Sequence, residues 1–174
     1  MNIYLIGYRC TGKTTLGREL ARELALEFVD MDDLLVAEAG QSISDMVAEK
    51  GWPYFRSQER ALLNRLADRG SLVVGTGGGI ILDPDTVAEM RAAGKVVWLQ
   101  CSSDTITHRI QGDSRTQEMR PALTDKGLLE EIESVLQERM PLYQGAAHII
   151  LSTDEGDIQG LCKEIIAKLD GLAA

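Results

Sequence analysis

Histidine and cysteine are scarce in this chain, at 2 and 3 of 174 residues. His108 and His148 alone make a zinc centre or a histidine-based triad a poor fit. Cys10, Cys101 and Cys162 are odd in number and widely spaced, with no C-x-x-C, so they read as free thiols in a reducing compartment. No apolar run is long enough to cross a bilayer, and no basic-then-apolar leader stands before the first strand pattern. The expectation is a cytoplasmic protein with no membrane partner. Positive charge is also in deficit: 18 Lys and Arg stand against 27 Asp and Glu, for a net charge of −9. A nucleic-acid partner, which usually demands a basic face, is therefore not expected. An acidic protein that handles anions must gather its cations locally, so clustered arginines carry weight.

What is present is an ordinary globular composition, 44% hydrophobic and 26% charged, of a length that suits one domain. Apolar β-rich runs alternate with helical patterns. Strands are expected at residues 2–6, 27–30, 71–75, 96–100 and 148–152. Several are apolar throughout, as in a parallel sheet covered on both faces. Helices are expected at 13–24, 32–38, 42–50, 52–69, 84–93, 103–110, 124–143 and 157–169. Ser42 and Asp83-Pro84 look like helix starts, and Gly70 and Gly94 like stops. The alternation implies a doubly wound α/β domain whose ligands gather at the carboxyl ends of the strands.

Residues 7–15 read Gly-Tyr-Arg-Cys-Thr-Gly-Lys-Thr-Thr, directly after the apolar run Ile3–Ile6. This is the G-x-x-x-x-G-K-[ST] phosphate loop between a strand and a helix. Gly7 and Gly12 let the backbone turn tightly, so that N–H groups point inward at a polyphosphate. Lys13 brings a cation to the β- and γ-phosphates, and Thr14 offers a hydroxyl to Mg²⁺. Cys10 fits the turn as a small residue.

Other informative residues stand just past the remaining strands. Asp30 and Asp32 share a side of the extended chain after the second strand. One could hold magnesium through water and the other accept from a substrate hydroxyl; either could instead cap a helix. Thr76-Gly77-Gly78-Gly79 follows the third strand, and three glycines in a row suit a ligand pressed against backbone. Arg56 and Glu59 lie one helical turn apart beside Trp52, Tyr54 and Phe55, which suggests a partly dry pocket where a guanidinium grips a carboxylate. Residues 111–123 have no period and carry Arg115 and Arg120, as a lid would. Arg139 falls late in a long helix, where arginine ordinarily complements the dipole.

Taken together, these residues resemble the shikimate kinase family of nucleoside-monophosphate-kinase-like P-loop folds. The resemblance rests on Gly7–Thr14, Phe28-x-Asp30-x-Asp32, Phe55-Arg56-x-x-Glu59, Thr76–Gly79, Arg120-Pro121 and Glu138-Arg139-x-x-x-Tyr143. It implies a three-layer α/β fold with a five-stranded parallel sheet in the order 2-3-1-4-5 and a mobile lid. It also implies a single domain: a core of 1–31, 70–110 and 124–174, a substrate-binding helical part of about 32–69, and a lid of about 111–123. The implied reaction moves the γ-phosphate of ATP to shikimate with Mg²⁺, in a monomer. The implied nucleotide site is Gly7, Cys10, Thr11, Gly12, Lys13, Thr14 and Thr15, with Arg109 on adenine and Arg120 over the phosphates. The acceptor site is Asp32, Arg56, Gly77, Gly78, Gly79 and Arg139. Lys13, Asp32 and Arg120 are the implied catalytic set; Thr14 is the metal ligand, with Asp30 acting through water. Asp32 is either a true base or an orienting acceptor. The family often has a proline after strand five, whereas Ser152–Gly156 has none. Arg9 and Arg115 have no firm role. Two other readings are a gluconate- or nucleotide-kinase-like enzyme and a non-catalytic nucleotide-sensing module.

Overall fold

Five parallel strands, side by side in the order β2-β3-β1-β4-β5, form the centre of the computed structural model, which describes residues 1–112 and 127–172. The strands are β1 (Asn2–Ile6), β2 (Glu27–Asp30), β3 (Leu72–Gly75), β4 (Gly94–Gln100) and β5 (Ile149–Ser152). Between and after them run α1 (Lys13–Glu23), α2 (Met31–Ala39), α3 (Ile43–Arg69), α4 (Pro84–Ala93), α5 (Ser103–Gln111), α6 (Leu128–Ala146) and α7 (Ile158–Gly171). The expected sheet order and class are the ones observed.

Strand pleating sorts the core into two layers. Tyr4, Ile6, Val74, Val96 and Trp98 face one way and pack with Leu62, Met90 and Tyr143 from α3, α4 and α6. Ile3, Leu5, Val73, Val97 and Leu99 face the other way, against Leu16 and Leu20 of α1 and Ile165 of α7. A third cluster joins Tyr8 of the phosphate loop to Ile106 and Ile110 of α5 and Ile132 and Val135 of α6. The central strands are buried on both faces, which is why they read as unbroken apolar runs.

The helix starts expected at Ser42 and Asp83 are real caps, and Ser102 and Asp157, not singled out in the sequence, cap α5 and α7 in the same way. Ser42, Asp83, Ser102 and Asp157 each accept a first-turn N–H. The helices expected at 42–50 and 52–69 form one run that is broken where expected, at Gly51, whose φ of 79° and ψ of 166° are not helical. Most boundaries fall within one residue of expectation; α7 runs two residues further, to Gly171, and two others differ by as much or more. β4 starts at Gly94, not Val96, because Gly94 pairs with Asn2 across the ladder. The helix expected to end at Tyr143 continues to Ala146, and the start expected for it at Thr124 lies outside the described residues. A short 3₁₀ turn, Ile80–Leu82, had no signal in the sequence.

One buried polar side chain ties the centre of the sheet to α3. Asn2 Nδ2 donates to Leu66 O at 3.0 Å and to Tyr4 Oη at 3.0 Å, and its Oδ1 accepts from Leu72 N at 3.0 Å. Replacement with Ala orphans buried partners. We therefore expect Asn2→Ala to lower stability by about 2–4 kcal/mol in urea unfolding. A loss under about 0.5 kcal/mol would mean that water replaces these bonds.

Candidate active site

The phosphate loop leaves β1 and turns back into α1 at the carboxyl edge of the sheet. Gly7 passes so close to β4 that a Cβ there would lie 2.6 Å from Leu99 O, and its φ of 143° suits only glycine. Cys10 takes the left-handed region at φ 60°, at a cost on the order of 1 kcal/mol for an L-residue. Lys13 is 9% exposed and donates to Gly7 O at 2.8 Å and Tyr8 O at 2.7 Å. Thr14 Oγ1 donates to Asp30 Oδ2 at 2.7 Å. The other Asp30 oxygen accepts from Asp32 N at 3.1 Å and Asp33 N at 3.4 Å, capping α2. Capping and service to the loop, alternatives in the sequence, are both performed by one carboxylate.

Two hollows meet here. The larger, about 540 Å³, is lined by Cys10–Leu16, Asp30, Asp32, Arg109 and Thr153. The smaller, about 70 Å³, includes Arg9, Asp32, Arg56, Glu59, Gly77–Gly79 and Arg139. Asp32 lines both, so a group held in one hollow can meet a group held in the other at that carboxylate.

The smaller hollow is built from paired charge and missing side chains. Arg56 forms an ion pair with Glu59, and its guanidinium lies 5.1 Å from the Trp52 ring centre and 5.2 Å from that of Phe55. A Cβ on Gly79 would sit 2.2 Å from Arg56 Nη2, and one on Gly77 would sit 2.3 Å from Glu59 Oε1 and 3.1 Å from Asp32 Oδ1. Two of the three consecutive glycines are thus required by the charged groups pressed against them. Arg139 is 9% exposed and turns inward, its Nη1 donating to Gly78 O at 3.2 Å. Tyr143, one turn on, donates its hydroxyl to the same carbonyl and stacks on Trp98 with ring centres 5.6 Å apart. Burial pushes the Tyr143 phenol up to about 12, so it stays a donor.

Arg109 does what a tether does. Its Nη2 donates to Thr153 O at 2.6 Å and its Nη1 to Cys10 O at 3.2 Å, while Thr153 Oγ1 donates to Thr11 O at 3.0 Å. Asp154 accepts from Ser102 N at 2.9 Å and Ser102 Oγ at 2.8 Å, fixing the loop after β5 to the start of α5. These bonds organise the segment that lacks a proline. Arg9, without a firm role in the sequence, forms a buried ion pair with Glu131 of α6.

Of the residues named from the sequence, Cys10–Thr15 and Arg109 come together in the larger hollow, Arg56, Gly77–Gly79 and Arg139 in the smaller, and Asp32 in both, while Gly7 lies at the foot of the loop and lines neither. Arg115 and Arg120 lie outside the described residues. Sequence reasoning gave no part to Glu131, Thr153 or Asp154. Glu131 reads as an ordinary acidic first-turn residue. Tyr143 had a usable signal, since it stands four residues from Arg139 on one helix face. Thr14 and Asp30 fit Mg²⁺, which prefers hard oxygen ligands and is usually held by one or two protein groups plus water and phosphate.

Glu59 is 2% exposed and its Oε1 has no hydrogen-bond partner among the described residues. Burial pushes its carboxyl up to about 7, against the pull of Arg56 and with a further push from Asp32. The folded chain therefore binds this proton more tightly than the unfolded chain, where the group titrates near 4.5. The stability it contributes is full below about pH 4.5 and is lost as pH rises through about 7. Urea unfolding from pH 4 to 8 should show Glu59→Gln gaining on the parent as pH rises, by at most on the order of 3 kcal/mol. Parallel stability curves would contradict the burial effect.

Comparison with known proteins gives a consistent result. A family model described as "Shikimate kinase" matches residues 9–170. A curated shikimate kinase of Syntrophus aciditrophicus is 39% identical over 96% of this chain and 90% of its own length. A "Shikimate kinase 2" of Dickeya chrysanthemi is 40% identical over 92% of each. Among solved structures, shikimate kinase from Acinetobacter baumannii in complex with shikimate superposes with a TM-score of 0.89 at 32% identity, covering 98% of this chain and 93% of that one.

Proposed function

Since the chain belongs to the shikimate kinase family, we infer that it is an ATP-dependent kinase that phosphorylates shikimate, giving shikimate 3-phosphate and ADP on the way to aromatic amino acids. The observation that carries the reading is Asp32, which lines both the phosphate-loop hollow and the arginine-lined hollow. A phosphoryl donor in the first and a hydroxylated acid in the second would meet at this carboxylate.

In this reading Arg56 and Arg139 grip the shikimate carboxylate, and Gly77–Gly79 give the ring access to backbone. Asp32 accepts a hydrogen bond from the 3-hydroxyl and takes its proton as the oxygen attacks the γ-phosphorus. The bond from that phosphorus to the bridging oxygen of ADP breaks. Phosphoryl transfer is loose, so most of the work is positioning and charge neutralisation. Lys13 leaves its carbonyl partners for the phosphates, and the amide-rich start of α1 faces the same charge. Mg²⁺, bound by Thr14 and through water by Asp30, would offset charge on the β- and γ-phosphates. Arg109 packs on adenine while holding Thr153. The family resemblance assigns Arg120 to the transferring phosphate, on a cover of about 111–123, with 32–69 as the acceptor-binding part of a single domain. We further propose a monomer acting in the cytoplasm; among the described residues no helix is long and apolar enough to cross a membrane.

Two measurements test this reading. ADP release should be stimulated by shikimate and not by gluconate or nucleoside monophosphates; turnover of gluconate alone would reject the assignment. Asp32→Asn should lower kcat by about 100-fold or more with ATP affinity within about twofold. Near-normal turnover by that variant would remove Asp32 from the chemistry.

A further inference from the structure

Three arginines line the smaller hollow: Arg9, Arg56 and Arg139. Two are neutralised by buried carboxylates, Arg56 by Glu59 and Arg9 by Glu131. Among the described residues Arg139 makes no ion pair; it donates to the Gly78 carbonyl. Arg139 is thus the arginine of the pocket that has no carboxylate partner among the described residues, and it stands ready for the carboxylate of a ligand.

The Arg9 pair is costly to build and has no evident part in folding the sheet. Glu131 is 3% exposed and reaches Arg9 across 122 residues, from the first turn of α6. Arg9 is held largely inside the protein: its guanidinium lies 5.5 Å from the Tyr8 ring centre, and its Nε is buried with no hydrogen-bond partner among the described residues. Its backbone N is in van der Waals range of a Cβ built on Gly78, at 3.6 Å, so the residue stands beside the glycines of the pocket. Without Glu131, a fixed second cation would face the ligand. Coulomb attraction scales with ligand charge, so that cation would favour a dianion over a monoanion.

We propose that Glu131 sets the charge selectivity of the acceptor pocket: by neutralising Arg9 it holds the pocket to singly charged acids and keeps it from retaining dianions. The proposal rests on the reading of the smaller hollow as the shikimate site. It makes Glu131 a specificity residue acting through Arg9, with no contact of its own to substrate. Selectivity here comes from cancelling an attraction that would serve the wrong ligand.

The test uses sulfate, a dianion, and acetate, a monoanion, as competitors against shikimate. Saturating ATP and Mg²⁺ keep the phosphate loop filled. In Glu131→Gln the sulfate inhibition constant should fall about tenfold or more, and that of acetate about threefold or less. Adding Arg9→Met to that variant should return the sulfate-to-acetate ratio to the parent value. Arg9→Met alone runs the test in reverse: Glu131, its Arg9 partner removed, should raise the sulfate constant more than the acetate constant. Thermal unfolding identifies any variant that does not fold. A purely structural pair would lower thermal stability and kcat with the ratio unchanged. An unchanged ratio in whichever single variant folds overturns the proposal. If the parent fails to turn over shikimate, the reaction assigned above is at fault. The same ratio is then read from Trp52 fluorescence as sulfate and acetate are titrated into the ADP-bound protein.

Discussion

Parallel pairing of β1 with both β3 and β4 is the constraint on which the site depends. It puts the carboxyl ends of three strands in register, so the loops after them emerge side by side. The contact is direct. Thr76 N and Thr76 Oγ1 both donate to Leu5 O, at 3.1 and 3.0 Å, and a Cβ on Gly78 would lie 3.4 Å from Gly7 O. The glycine segment after β3 is thereby laid against the phosphate loop after β1. The two hollows are bordered by neighbouring loops on one sheet edge, with α2 supplying the carboxylate that lines both.

An acidic protein meets two anionic ligands by concentrating its cations and then cancelling most of them. Burying Arg9, Arg56, Glu59 and Glu131 carries a desolvation cost that pairing only partly offsets. Such pairs add little to stability. What they supply is a fixed direction for each guanidinium. The carbonyl of Gly78 plays a similar part without charge, since Arg139 and Tyr143 both point at it from α6. One backbone oxygen thus positions α6 against the glycine segment after β3.

The fold was largely legible because its signals are local. Apolar runs, caps at Ser42 and Asp83, and a break at Gly51 are properties of adjacent residues. The phosphate loop and the acceptor set were legible because glycine and charge at fixed spacing have few other uses. The bonds that join distant segments were not. Arg9 and Glu131 lie on elements brought together by a cluster that joins Tyr8 to Ile132 and Val135, and no periodicity encodes that. Thr153 and Asp154 replace an expected proline with a set of hydrogen bonds, and spacing does not reveal a substitution of mechanism. Gly94 was legible as a helix stop but not as a strand residue, because its second role depends on Asn2.

Lys13 is already occupied by the carbonyls of Gly7 and Tyr8. The loop therefore holds its own cation as a surrogate ligand, and an arriving polyphosphate enters an exchange reaction. Two hydrogen bonds are surrendered for those gained, so the net affinity is less than the contacts in the bound state would suggest. Each additional anionic oxygen on the ligand can engage a further donor, a loop amide or Thr14, and so offset that exchange. The resting loop therefore favours ligands with several anchor points over those with one.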